Sequence, residues 1–147
     1  MKNFINILVN VLLYIWQLPQ NIGGLFVIFF TNPKKKVKMN NGNMLYIADK
    51  MSGGISLGKY SIINSYYVKS CKTDEDIKTL DISKHEAIGH GTQSKYLGPL
   101  YLFAIGLPSI IWASLYGNTK WFPYTKNGYY VFYPEKWADK LGGVIRK

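Results

Sequence analysis

Apolar positions dominate residues 4–30, and no charged residue occurs between Lys2 and Lys34. The run is interrupted at Gln17-Leu18-Pro19-Gln20-Asn21. In its first half the polar residues Asn3, Asn6, Asn10 and Gln17 are spaced by three, four and seven. At about 100° per residue this gathers them on one narrow stripe of a helix whose other faces are oily. Pro19 disfavours helical angles at Leu18, so the pattern predicts a break there and a shorter apolar run over 22–30. A single membrane span needs about twenty apolar residues, whereas the two halves hold about 14 and 9. Two readings remain open: one kinked span, or a helix lying in the interface followed by a re-entrant piece. A removable signal peptide fits less well, because the run is rich in asparagine and no small-x-small site precedes the lysines.

Beyond this stretch the pattern changes to short alternating runs. Asn40-Asn41-Gly42-Asn43 reads as a turn that opens the remaining domain. Strands are predicted over 44–48, 55–57, 60–63 and 66–69, separated by Gly53-Gly54, Gly58-Lys59 and Asn64-Ser65, as a small antiparallel meander. The acidic patch Thr73-Asp74-Glu75-Asp76 can start a helix, and residues 80–94 carry a helical pattern. Residues 97–117 form a second uncharged stretch, divided by Pro99, Gly106 and Pro108, which predicts a broken helix. A last strand-like run, 129–133, leads into a helix at Pro134. The organisation expected is an apolar membrane-associated segment at 1–31, a basic linker at 32–39 and an α+β domain at 40–147.

Composition narrows the function classes. A chain of 147 residues that is 48% hydrophobic has the material for one cored domain. Its single cysteine, Cys71, excludes an internal disulfide framework. The formal net charge of +10 attracts polyanions, nucleic acid or an anionic lipid surface. No finger spacing, basic zipper or RNA-reading strand signature is present, so nucleic acid is not expected as a partner. Membrane lipid is. Lys34-Lys35-Lys36-Val37-Lys38, directly after the apolar stretch, is expected on the anionic and hence cytoplasmic side. Lys2 at the other end suits a hairpin or in-plane helix better than a simple span.

The candidate chemistry lies in the only two histidines, within His85-Glu86-Ala87-Ile88-Gly89-His90, and in a later Glu135-Lys136-Trp137-Ala138-Asp139. Zinc hydrolases use neutral imidazoles, a third ligand that is often a carboxylate, and a free carboxylate as base. In the usual His-Glu-x-x-His pattern the imidazoles at i and i+4 are about 40° apart on a helix, whereas spacing i and i+5 separates them by about 140°. One extra residue in the turn, a bulge of the kind found at functional sites, restores the facing. Gly89 is the residue able to absorb it.

His-Glu-x-x-Gly-His resembles the expanded zinc motif of the dipeptidyl peptidase III family, and Glu-x-x-Ala-Asp resembles the third-ligand helix of the gluzincins. The resemblance covers about a dozen residues; in size and membrane character the chain looks more like a small membrane-associated gluzincin. It implies that His85, His90 and Glu135 bind Zn2+, that Glu86 activates the water, and that Asp139 holds a ligand histidine through its second ring nitrogen. A small zincin-like domain hydrolysing a peptide or protein substrate is the resulting expectation. The oxyanion-stabilising group stays open among twelve tyrosines, of which Tyr129, Tyr130 and Tyr133 are nearest Glu135. Two alternatives remain: a non-enzymatic protein that binds lipid or a partner chain, and a zincin fold that has lost its metal. The pattern is silent on oligomeric state.

Overall fold

The structure is a computed structural model in which residues 2–116 and 128–146 are described. Met1, Gly117 at the end of the predicted apolar stretch, and Lys147 lie outside the described residues. Helices α1 (Lys2–Trp16) and α2 (Leu18–Thr31) meet at Gln17, where the chain bends by 80°. The break falls one residue earlier than Pro19 predicts. A proline is accommodated in the first turn of a helix, where its missing N–H has no partner to lose, so α2 starts at Leu18 with Pro19 second.

The outward and inward faces of α2 are reversed from those of an ordinary surface helix. In α2 the buried residues are Gln20, Asn21, Gly24 and Thr31, while Ile22, Leu25, Phe26, Phe29 and Phe30 are exposed. The Asn21 amide donates to Tyr14 O at 2.9 Å and its Oδ1 accepts from Lys59 N–H at 2.8 Å. That second bond grips the turn of a hairpin. Gly58 stands there at φ +63°, as the first central position of a two-residue hairpin requires, and a Cβ on it would collide with Asn21 Oδ1. No single helix among the described residues is long and apolar enough to cross a membrane; α1 and α2 have that length and apolarity only as a bent pair.

Strands β1 (Lys35–Lys38), β2 (Met44–Ala48), β3 (Gly54–Leu57) and β4 (Tyr60–Asn64) form one sheet in the order β1-β2-β4-β3. The class is α+β, but the sheet is not the predicted antiparallel meander: β2 and β4 run parallel, with β3 folded back onto the outside of β4. β4 thereby lies inside the sheet, which matches its near-complete burial at Ser61, Ile62 and Ile63. The segment read as a basic linker supplies β1. Only Val37 of that strand is buried and its lysines point outward, a charged edge that discourages pairing with another chain. The predicted strand at 66–69 is instead a 3-10 turn, Ser65–Val68, because Asn64 Oδ1 accepts the Tyr66 N–H and curls the chain. Likewise the strand-like run at 129–133 forms a 3-10 turn at Tyr129–Val131.

One face of the sheet builds the core: Val37, Met39, Leu45, Ile47 and Ile63 pack with Ile77 and Ala87, and Cys71 lies against their edge as a free thiol. Helix α3 (Asp74–Thr79) opens with a capping box between Thr73 and Asp76. Leu80 then breaks the helix with extended angles, and the chain runs on through α4 (Asp81–Ser83), a π-helical segment (Lys84–His90) and α5 (Gly91–Leu97). A 3-10 turn, Gly98–Leu100, a second π segment, Leu102–Gly106, and α6 (Leu107–Tyr116) make up the described part of the predicted broken helix. The last helix, α7 (Tyr133–Gly142), crosses back over the first π segment.

Candidate metal centre

The five-residue histidine spacing is accommodated by the backbone. Through Lys84–His90 the hydrogen bonds reach five residues back, so that the Gly91 N–H donates to Glu86 O. Residues five apart then share a face, and His85 and His90 stand edge to face with ring centroids 4.8 Å apart. Such a wide turn is not self-sufficient in hydrogen bonds. The Ala87 carbonyl accepts from the side-chain amides of Asn41 at 2.9 Å and Asn43 at 2.7 Å, both in the turn between β1 and β2. Gly91 leaves room for this arrangement, since a Cβ there would lie 1.9 Å from the Asn43 amide nitrogen.

Close packing of α7 brings in the carboxylates. A Cβ on Gly89 would lie 2.3 Å from Ala138 O, and one on Gly142 would lie 2.7 Å from Lys84 O. Gly89 therefore serves the approach of two backbones, a requirement that the spacing argument does not contain. Glu135 and Asp139, one helical turn apart on α7, then face the histidines. His85 Nδ1 is 2.7 Å from Asp139 Oδ1, and His85 Nε2 is 3.0 Å from Glu135 Oε2. His90 Nε2 stands 3.6 Å from the same Glu135 oxygen. One potential ligand atom from each of His85, His90 and Glu135 lies within 4.8 Å of the others, and all three residues are buried.

This group can hold a metal ion. Around a tetrahedral ion with bonds of about 2.0–2.2 Å, ligand atoms are separated by about 3.3–3.6 Å, which the 3.0 and 3.6 Å separations bracket. Glu135 Oε1 is buried without a hydrogen-bond partner, an expensive state for an ionised oxygen unless a cation is bound. Burial opposes ionisation of Glu135, yet the hydrogen bonds from His85 and His90 outweigh it and hold the carboxyl at about 2. Burial also disfavours a charged His90, but Glu135, Glu86 and Gln93 together raise its pKa above the usual value.

Two positioning residues escaped the sequence reading. Gln93 accepts at Oε1 from His90 Nδ1 at 2.7 Å and donates from Nε2 to Pro134 O at 2.8 Å, which ties α5 to the start of α7. With Asp139 on His85, both imidazoles thus have their Nδ1 occupied and their Nε2 turned towards Glu135. Arg146 grips Asp139 twice, Nη2 to Oδ1 at 2.9 Å and Nε to Oδ2 at 3.0 Å, and stacks 3.5 Å over the Tyr130 ring. Gly143, at φ +66°, reverses the chain after α7 and so returns Arg146 to that helix. Gln93 does lie three residues after His90, but a lone glutamine at that spacing carries no signal by itself.

Glu86 is not one of the three grouped residues but lines the cleft that Glu135 and His90 also line. Ser56 Oγ donates to Glu86 Oε2 at 2.7 Å, and a Cβ on Gly54 would strike the Glu86 carboxylate, so β3 is shaped around that side chain. Tyr129 lines the same cleft with its pKa raised by burial and by Glu135 and Glu86, which keeps the phenol a proton donor. Tyr101 lines it too, but its hydroxyl is occupied by Ser56 O at 2.9 Å. Tyr130 and Tyr133 are not among the residues lining this cleft. No protein-family model, curated protein or solved structure matches the chain.

Proposed function

We propose that this chain is a small membrane-associated zinc peptidase of gluzincin type, with His85, His90 and Glu135 as ligands and Glu86 as base. The observation that carries the reading is the convergence of two imidazole Nε2 atoms and one buried carboxylate beside a cleft that contains a second carboxylate. Two histidines and a glutamate with room for a fourth ligand are the donor set of a catalytic zinc site, whereas structural zinc sites close all four positions with protein. A zinc ion bound there would supply Lewis acidity, polarising a scissile carbonyl and lowering the pKa of a water to about 7.

The protein residues perform the remaining work. Glu86, oriented by Ser56, takes a proton from the water as its oxygen bonds to the carbonyl carbon, and delivers it to the amine as the C–N bond breaks. Tyr129 offers a phenolic proton to the developing oxyanion. β3 is the edge strand along the cleft, so an extended substrate backbone can add to it, although Tyr101 already takes one of its carbonyls. Attachment to the membrane is supported by the inverted polarity of α2, whose polar face is inside and whose phenylalanines are outside.

Glu86→Gln tests the assigned base. Zinc content unchanged with hydrolysis abolished is expected; full activity refutes the role. The rival, a non-enzymatic lipid- or partner-binding protein, requires that the purified chain hold no stoichiometric metal.

A further inference from the structure

The walls of the cleft say what kind of chain can enter it. On one side runs β3; on the other stand Gly106, Ser109, Ile110 and Ala113. These four are spaced i, i+3, i+4 and i+7, so they form a single face of the helix that ends in α6. Apart from Glu86, His90 and Glu135, no described residue lining the cleft is charged. A substrate with charged side chains on either side of the cut would have to strip their water against these walls, where no described side chain of β3 or of the α6 face carries a charge to pair them.

The surroundings of the cleft are equally apolar. Ile110 lines it and is also 50% exposed at its rim, and Leu107 and Ile111 on the same helix are exposed beside it. At the other wall Leu57 packs against Gly23 and Gly24 of α2, and the face of α2 that turns away exposes Ile22, Leu25, Phe26 and Phe29. The cleft is therefore framed on both sides by helices with bare apolar faces, while the charged β1 edge lies at the far side of the sheet.

We infer that the substrate of this site is a membrane-borne polypeptide, cut within an apolar segment that lies extended between β3 and α6. The inference rests on the peptidase reading and specifies its substrate class. An apolar segment arriving laterally from lipid exchanges one apolar environment for another, so its side chains add little cost. Its backbone is the difficulty, because a segment unwound for cleavage leaves N–H and C=O groups without partners. The edge of β3 supplies such partners apart from the Ser56 carbonyl that Tyr101 takes, and Ser109 Oγ, buried at the cleft without a hydrogen bond, is one more.

The test uses the zinc-loaded full chain in vesicles of phosphatidylethanolamine and phosphatidylglycerol. It compares a reporter with a single apolar span in the same vesicles and a water-soluble peptide with charged residues around the equivalent bond. Mass spectrometry of the products should place the cut inside the apolar span, at a rate at least about tenfold above that on the soluble peptide, the scale of apolar pocket discrimination. Ile110→Lys, at a half-exposed position that tolerates the change, should remove most of that preference and favour a peptide with Glu beside the cut. Equal or faster cleavage of the soluble charged peptide overturns the substrate class and leaves the peptidase reading intact. No cleavage of either substrate by zinc-loaded protein overturns the peptidase reading and this inference with it.

Discussion

Two parts of the molecule bury polar side chains, and they do so to different ends. In α2, neutral amides turn inward and bond to backbone groups: Asn21 to Tyr14 O and Lys59 N–H, and Gln20 to Gly98 O. Around the first π segment and α7, ionisable groups turn inward and face one another. Both regions leave acceptors unpartnered, Gln17 Oε1 and Gln20 Oε1 in the first and Glu135 Oε1 in the second. A neutral acceptor without a partner costs about 1–3 kcal/mol, and a charged one costs more. The amides tie α2 to the backbone of its neighbours; the carboxylate belongs to a group that can hold a cation. Inward polarity alone therefore does not point to an ion, whereas inward charge with an orphaned oxygen fits a group that can hold one.

Five changes separate the regions experimentally. The largest effect belongs to Glu86→Gln, which should lower turnover by about 10²–10⁴, the usual contribution of a general base, and leave circular dichroism and zinc content unaltered. Gly89→Val places side-chain atoms against Ala138 O, where a Cβ would already lie at 2.3 Å, and overpacking of this kind costs about 1–3 kcal/mol. It should lower the denaturation midpoint and zinc affinity together, since the same contact positions Glu135. Asp139→Ala and Gln93→Ala, which free one imidazole each, should weaken zinc binding by about 10–100-fold with little change in fold, measured by competition with a chelator. Phe29→Lys on the outer face of α2 should change stability by only about 0.5 kcal/mol, yet reduce flotation with vesicles. If Phe29→Lys instead abolished zinc binding, the separation of the two regions would fail.

The pH dependence of metal binding has a definite sign. His90 carries a raised pKa in the metal-free protein, so below that pKa a proton occupies the nitrogen that a metal needs. Zinc affinity should fall as pH drops through this range, and titration calorimetry in buffers of different ionisation enthalpy should register released protons. Glu135, held at about 2, stays ionised throughout and adds no second step above pH 4.

The α+β class and the helical setting of the histidine motif are legible in the chain, because periodicity and capping are local. The need for a bulge follows from helix geometry applied to His85 and His90. The sheet order is another matter: β1 hides among lysines with only Val37 facing inward, and the parallel pairing of β2 with β4 depends on where β3 folds. Supporting contacts are equally hidden. Asn41 and Asn43 read as turn residues, and nothing local says that their amides hold Ala87 O. Arg146 comes back to Asp139 only because the chain reverses at Gly143. The polar stripe of α1 predicts a face that avoids apolar surroundings, but not that α2 would bury its own amides against the domain.

X-ray absorption at the zinc edge, on the purified full chain loaded with one equivalent of zinc, addresses the metal centre most directly. The account predicts one tightly held zinc with two nitrogen and one or two oxygen neighbours at about 2.0–2.2 Å, lost in His85→Ala and in Glu135→Ala. A chain that retains no zinc, or that binds it equally well without His85 and Glu135, would contradict it.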